Sequence, residues 1–133
     1  MGTDDTDFAY YGIPDPRGEF GNRDTSSAPY TDKVDQAFVA DVWRIMDTAG
    51  NLLIRKHHDY GPKNIAHSPG GPLNGLRVRM WDKIARINNL LDSNVAPSNE
   101  SLRDSYLDLL NYSAIAMMVL DGVWPEVPEP NCD

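Results

Sequence analysis

Apolar residues recur at helical spacing in three separate segments of the chain. Steps of three and four residues are typical of amphipathic helices, whereas the period of two that marks a half-buried strand is not found. We therefore predict an all-α fold with a three-helix core at about residues 33–58, 75–92 and 99–121. The periodic positions are Val34, Phe38, Val42, Ile45, Met46, Ala49, Leu52 and Leu53, then Leu76, Met80, Ile84, Ile87 and Leu91, then Leu102, Tyr106, Leu109, Leu110, Ile115, Met117 and Leu120.

Polar, Gly and Pro residues separate the three segments and predict where each helix begins and ends. Tyr60-Gly61-Pro62 ends the first helix, because Gly suits a left-handed cap and Pro cannot continue a helix. Asn74 is a candidate cap for the second helix, and Ser98 or Asn99 for the third. Residues 61–74 and 93–98 are then expected to be loops, and the short second loop predicts that the second and third helices pack antiparallel.

The segments outside the helices lack periodicity. Residues 1–32 predict an irregular arm, which is either solvated or, because it contains several aromatic residues, packed on the body or on a second subunit. Residues 33–122 form the predicted helical domain. Residues 123–133 are Pro-rich and predict an extended tail.

The balance of charge narrows the partners. The chain has 133 residues and a formal net charge of -8, so a nucleic-acid polymer is an unlikely ligand. Cationic residues nevertheless gather between Lys56 and Arg86, which favours a small anionic ligand. The single Cys132 excludes an internal disulfide. No signal peptide or membrane-spanning run is found, and we expect a cytoplasmic protein.

The third predicted helix carries carboxylates at steps of four: Glu100, Asp104 and Asp108. Residues four apart share one helix face, and carboxylates together with substrate phosphates can hold Mg²⁺. The alternative is a solvated acidic face. Asp108 lies among large apolar neighbours, however, so we expect it to point inward or to lie at a subunit interface, and a buried carboxylate needs a partner.

The second predicted helix supplies candidate partners at steps of three and four: Arg79, Asp82, Lys83 and Arg86. One interpretation is a phosphate clamp, because Arg offers a planar fork and Lys a point charge. The other is a lattice of salt bridges within the helix, which stabilises little. Tyr60, beside Lys56 and Lys63, fits contacts to a base and to phosphate. Adjacent His57 and His58 point to different helix faces, so a His-based metal site is not expected.

Taken in order, these motifs resemble a family known mainly from bacteriophages, the first of the nucleotide-modification-associated domain families. The resemblance covers residues from about 33 to 121. Three patterns carry it: Lys-x-x-Asp-Tyr-Gly, Arg-x-x-Asp-Lys-x-x-Arg, and Glu-x-x-x-Asp-x-x-x-Asp-Leu-x-x-Tyr. The matching residues are Lys56, Asp59, Tyr60 and Gly61, then Arg79, Asp82, Lys83 and Arg86, then Glu100, Asp104, Asp108, Leu109 and Tyr112.

The resemblance implies a role in phage nucleotide metabolism, in the cytoplasm of the host cell. The last helix is also distantly similar to all-helical nucleoside-triphosphate pyrophosphohydrolases of the MazG type, which bind Mg²⁺ through two acidic motifs. The first helix here offers Asp35, Asp41 and Asp47 but no Glu-x-x-Glu, so the second motif is missing.

Three functions remain open at this level. The first is an enzyme of Mg²⁺-dependent nucleotide hydrolysis or transfer, with Asp82, Asp104 and Asp108 as catalytic residues and Glu100, Asp104 and Asp108 as metal ligands. The second is a protein that binds or sequesters a nucleotide, such as a host-defence signal, without turnover. The third is a structural helical adaptor. In each case the apolar residues on several sides of the third helix predict a homodimer or a higher homo-oligomer. The candidate ligand-binding residues are Lys56, Asp59, Tyr60, Lys63, Arg79, Lys83, Arg86 and Tyr112.

Overall fold

The computed structural model describes residues 33–129 and shows an all-helical chain over that range. The helices are α1 (Lys33–Tyr60), α2 (Lys63–Ala66), α3 (Pro72–Ser93) and α4 (Leu102–Leu120). The three long helices confirm the predicted fold class, and no strand occurs among the described residues. The short helix α2 lies in the segment that was predicted to be a loop. The predicted arm, residues 1–32, and the last four residues of the tail lie outside the described residues.

α1 ends where the sequence predicts. Its last residue is Tyr60, and Gly61 follows with a φ of 67°. That left-handed conformation costs a glycine little, because it has no Cβ. The Gly61 N–H donates to the His57 carbonyl at 2.8 Å, which satisfies one of the last carbonyls of the helix.

α3 begins three residues earlier than the periodicity predicted. Pro72 occupies the first turn and Gly71 is the N-cap. Proline suits this position because the first N–H groups of a helix have no partner within the helix. The prediction that Asn74 caps α3 is therefore wrong. The Asn74 side chain instead donates from Nδ2 to the Pro69 carbonyl at 3.2 Å.

α4 is capped by Ser101, so the predicted caps Ser98 and Asn99 are wrong. Ser101 Oγ accepts from the Asp104 N–H at 3.1 Å, and Asp104 Oδ2 accepts from the Ser101 N–H at 3.0 Å. This reciprocal arrangement is a capping box. The helix begins at Leu102, so Glu100 precedes it. The prediction that Glu100 shares a helix face with Asp104 and Asp108 is therefore wrong.

The described residues belong to two compact units, with the boundary between Thr48 and Ala49 inside α1. The described part of the first unit is the N-terminal part of α1, in which Val39 is buried. The second unit contains the rest of α1, the other three helices and the segment after α4.

The core of the second unit joins α2, α3, α4 and the segment that follows them. Its buried residues are Ile65, Ala66, Leu76, Ile115 and Trp124. Trp124 is only 7% exposed, and its Nε1 donates to the Pro62 carbonyl at 3.1 Å. The beginning of the predicted extended tail is therefore part of the core. The sequence missed this because Trp124 lies in a Pro-rich segment without periodicity.

α3 and α4 pack antiparallel, as predicted from the short connection between them. Arg86, near the end of α3, contacts Ser101 and Ser105 at the start of α4. Lys83 precedes Arg86 by almost one turn of α3, and it contacts Asp108, which follows Ser105 by almost one turn of α4. At the other end of α3, Gly75 lies so close to Ser68 that an added Cβ would meet its Cβ at 2.4 Å. Glycine at this position therefore allows α3 to approach the loop after α2.

Several large apolar side chains of the second unit are exposed in the single chain. They include Trp81 on α3 at 63% and Met117 and Leu120 on α4 at 64% and 70%. A single chain does not test what covers them, so the homo-oligomer stays a prediction. None of the described helices is long and apolar enough to cross a membrane.

Candidate functional site

The second unit contains a cavity of about 310 Å³ that brings together residues from all four helices. Charged and amide groups form one part of its wall, and aliphatic and aromatic groups form the other. This mixture suits a small ligand with both a polar and an apolar part. The lining residues are Leu53, Lys56, His57, Tyr60, Gly61, Asn64, Ile65, Arg79, Asp108, Asn111, Tyr112, Ile115 and Trp124.

Asp108 lies between two lysines at the edge of this cavity. Its Oδ2 is 2.8 Å from Nζ of Lys83, and its Oδ1 is 3.1 Å from Nζ of Lys56. The Asp108 side chain is 12% exposed, whereas that of Lys56 is 49% exposed. The expectation that Asp108 points inward and has a cationic partner is confirmed. One of the two partners, Lys56, comes from a distant part of the sequence.

Lys83 is held between two carboxylates. Besides Asp108, it contacts Oε2 of Glu100 at 3.1 Å. The hydrogen bond to Asp108 raises the pKa of Lys83 above its ordinary value of 10.5, and Glu100 acts in the same direction against the effect of burial. Lys83 therefore stays charged and connects α3 with α4. The salt bridges of α3 thus run between helices, and not within α3 as one interpretation of the sequence had it.

Arg79 contributes to the cavity wall from α3. Its Nη2 donates to the Asn64 carbonyl at 3.1 Å, which fixes the guanidinium against α2. Its Nη1 is buried and has no hydrogen-bond partner. An enclosed donor without a partner costs about 1–3 kcal/mol, so such a group in a cavity wall is a candidate for ligand contact.

Two further polar atoms in the same wall are in the same condition. Nδ2 of Asn111 and Nδ1 of His57 are buried and lack a partner. Asn111 as a whole is 7% exposed. Three residues that line one cavity, on α1, α3 and α4, thus have unsatisfied polar atoms.

Aromatic side chains form the α1 side of the cavity. The His57 ring packs edge-on against Trp124, with 5.1 Å between ring centroids and an interplanar angle of 72°. Tyr60 lies at the end of α1 and is 70% exposed, which leaves its ring available to a ligand. Tyr112, from α4, contributes a third aromatic group to the lining.

Arg86 has a structural position instead of a place in the cavity. Its Nη1 donates to Ser105 Oγ at 2.5 Å and to the Ser101 carbonyl at 3.3 Å, and its Nη2 donates to the Glu100 carbonyl. The guanidinium thus fastens the chain that enters α4 to the end of α3. Its predicted role as a phosphate ligand has no support in this geometry.

The structure brings together only part of the predicted site. The predicted residues that line the cavity are Lys56, Tyr60, Arg79, Asp108 and Tyr112, with Lys83 directly behind Asp108. Those outside the lining are Asp59, Lys63, Asp82, Arg86, Glu100 and Asp104.

The carboxylates do not form the predicted magnesium site. Hydrogen bonds to the Ser101 side chain and backbone hold the Asp104 carboxylate in the capping box and lower its pKa. Asp108 and Glu100 are engaged by lysines. Within residues 33–129, no group of three or more His, Cys, Asp or Glu side chains could hold a metal ion. Glu100, Asp104 and Asp108 therefore do not fit the Mg²⁺ site that their spacing in the sequence predicted.

Sequence reasoning did not select four of the lining residues that matter most: His57, Asn64, Asn111 and Trp124. The Asn64 contribution is a backbone carbonyl, which no side-chain pattern reveals. Asn111 had a usable signal, because it is an amide in the largely apolar second half of α4. His57 was considered only as a metal ligand.

Fold and cavity together define a small all-α domain that can enclose a polar small molecule. Residues 56–120 match the family described as nucleotide modification associated domain 1. The chain is therefore similar to this family over that stretch, and the resemblance inferred from the sequence motifs is confirmed for residues 56–120. No curated protein and no solved structure matched significantly, so the distant similarity to MazG-type enzymes has no support from these comparisons.

Proposed function

We propose that this domain binds a nucleotide in the cavity of its second unit. The observation that carries the proposal is that three residues lining one cavity, Arg79, Asn111 and His57, each have a buried polar atom without a partner. A nucleotide offers acceptors in its phosphate, sugar and base. The description of the matched family, which refers to nucleotide modification, supports the same ligand class.

The phosphate would bind at Arg79 and Lys56. The guanidinium of Arg79 is held by Asn64 through one nitrogen, which leaves Nη1 for an anion. Because Nη1 is itself enclosed, a small rotation of the side chain would bring it to the ligand. Lys56 is half-exposed and can turn from Asp108 toward a phosphate. Arginine suits this role because its planar fork matches phosphate oxygens.

The nucleoside would bind against the aromatic and amide side of the cavity. Tyr60 offers an exposed ring for stacking, a contact that every base can make. The Asn111 amide can donate from Nδ2 to an acceptor on the base or sugar. The apolar wall at Leu53, Ile65 and Ile115 would exclude water from that end.

Binding is the function that this geometry supports best. Mg²⁺-dependent hydrolysis or transfer would need carboxylates that are free to hold the ion, and the three predicted ligands, Glu100, Asp104 and Asp108, are engaged by lysines and by a helix cap. The role in nucleotide modification that we propose is therefore to hold the nucleotide. We also propose that the domain takes part in a phage pathway and is located in the cytoplasm.

Calorimetric titration with a panel of ribo- and deoxyribonucleotides, in buffer with EDTA and in buffer with Mg²⁺, tests the proposal. We expect binding in EDTA, loss of at least tenfold in affinity for Arg79→Met, and unchanged affinity for Arg103→Met. Arg103 is a matched control because it is exposed on α4 and lies outside the cavity lining. Chromatography of the same samples detects any product. Absence of binding to every nucleotide would refute the proposal and favour a structural adaptor.

A further inference from the structure

The charges in the cavity wall indicate how many phosphates the ligand carries. The lining contains two side chains that are cationic at neutral pH, Lys56 and Arg79, and one carboxylate, Asp108. Behind Asp108, Lys83 and Glu100 are one of each sign and in contact with each other. The immediate surroundings of the ligand therefore have a net charge of about one positive unit, apart from any charge on His57.

Resting on the proposed function, we infer that the cavity selects nucleoside monophosphates over di- and triphosphates. A phosphomonoester carries about -1.5 to -2 at neutral pH, so one positive unit offsets at least half of its charge. A triphosphate carries more charge, and proteins commonly balance it with Mg²⁺ held by carboxylates. Among the described residues, the side chains for such a metal site do not come together.

The position of Asp108 strengthens this selection. It is bonded to Lys56, so a phosphate near Lys56 lies close to a carboxylate of the same sign. A single phosphate that contacts both Arg79 and Lys56 meets two cations and this one carboxylate. A longer phosphate chain would add negative charge, and the lining offers no further Lys or Arg to balance it.

The size of the cavity agrees with this ligand class. A volume of about 310 Å³ is at the small end of the range of about 300–1,000 Å³ that ligand pockets cover. It suits one nucleoside with one phosphate, whereas a cyclic dinucleotide would contain two of each. The host-defence signals made of linked nucleotides are therefore poor candidates for this cavity.

Titration of the intact protein with one nucleoside, its mono-, di- and triphosphate, and a cyclic dinucleotide of the same base tests the inference, in EDTA and in Mg²⁺. The base is the one that binds best in the nucleotide panel. We expect the monophosphate to bind at least tenfold more tightly than the nucleoside and more tightly than the triphosphate, in both buffers. Arg79→Met should remove the difference between monophosphate and nucleoside, and Arg103→Met should preserve it.

The possible outcomes separate this inference from the proposal on which it rests. Tighter binding of the triphosphate or the cyclic dinucleotide, or a monophosphate affinity that requires Mg²⁺, overturns the monophosphate selection and leaves nucleotide binding intact. A monophosphate that binds no better than the nucleoside also overturns it, because the phosphate then has no partner. No binding of any nucleotide overturns both.

Discussion

Nζ of Lys83 lies 2.8 Å from Oδ2 of Asp108, and this contact connects α3 with α4 directly behind the cavity. The carboxylate also accepts from Lys56 on α1, so one buried residue holds three helices. Asp108 therefore has a structural role that the metal-ligand hypothesis did not include. Substituting it affects stability and binding in opposite directions.

We expect Asp108→Asn to lower the free energy of unfolding by about 2 kcal/mol, because hydrogen bonds to charged groups are worth about 1.5–3 kcal/mol. The same change removes a negative charge near the phosphate site and releases Lys56. At a separation of about 4 Å, that charge is worth about 1 kcal/mol in water, or roughly a fivefold gain in nucleotide affinity. Chemical denaturation and calorimetry measure the two effects.

Asp82→Asn is the matched control for this substitution. Asp82 is an exposed carboxylate on α3 outside the cavity lining. The free energy of unfolding and the nucleotide affinity of Asp82→Asn should therefore equal those of the unmodified protein within error. Loss of nucleotide binding in a folded Asp108→Asn protein would contradict this account and would return Asp108 to the role of a ligand-binding carboxylate.

The stability of the protein should depend on the ionisation of Lys83 at high pH. Its pKa is raised above 10.5 in the folded state, chiefly by the hydrogen bond to Asp108. A group with a raised folded-state pKa stabilises fully below its unfolded pKa and loses that contribution as pH rises through the folded value. The stability difference between the unmodified protein and Lys83→Met should therefore be constant below about pH 10 and shrink at higher pH.

Lys63→Met is the control for that pH series. Lys63 is an exposed residue of α2 outside the cavity lining, so its removal should leave the alkaline loss of stability unchanged. A stability difference for Lys83→Met that persists unchanged to the highest pH would show that Lys83 acts through packing and not through its charge.

The capping box at α4 predicts unequal effects for two nearby serines. Ser101→Ala should lower the free energy of unfolding by about 1 kcal/mol, because the Asp104 N–H loses the side-chain acceptor and keeps only the Ser101 carbonyl. Ser98→Ala should have little effect, since Ser98 precedes the helix by several residues. Denaturant titration of both proteins measures this, and equal values for the two would place the cap elsewhere.

These boundaries show which parts of the fold the sequence could predict. The end of α1 was predictable because Gly61 and Pro62 act through local backbone preferences. The antiparallel pairing of α3 with α4 followed from their short connection. Ser101 was missed because the apolar period of α4 was extended too far toward its N-terminus, although Ser101 and Asp104 carry the spacing of a capping box.

For the candidate site, local patterns predicted the charges but not the cavity. The inward position of Asp108 followed from its apolar neighbours along one helix. The pairing of Asp108 with Lys56 joins residues that are 52 positions apart in the sequence, and the contact of Trp124 with Pro62 joins residues that are 62 apart. Helical periodicity carries no information about such distant contacts. The burial of the Asn111 amide without a hydrogen-bond partner likewise depends on residues of other helices.

The segment after α4 should be essential to the stability of the second unit. Trp124→Phe keeps an aromatic ring in the core but removes the donor to the Pro62 carbonyl, so we expect a loss of about 1 kcal/mol. Trp81→Phe is the control, because Trp81 is 63% exposed. Thermal and chemical denaturation compare the two. An effect of Trp81→Phe as large as that of Trp124→Phe would contradict the assignment of Trp124 to the core.

The central claim is that the unpartnered polar groups of the cavity wall bind a nucleotide, and the side-chain amide of Asn111 reports on this most directly. In a ¹⁵N-labelled protein, its NH₂ signal can be identified by its loss in Asn111→Ala. During titration with a nucleoside monophosphate, we predict that this signal shifts with the dissociation constant found by calorimetry, while the side-chain signal of exposed Asn88 stays in place. An Asn111 signal that does not move while the nucleotide binds would contradict the account.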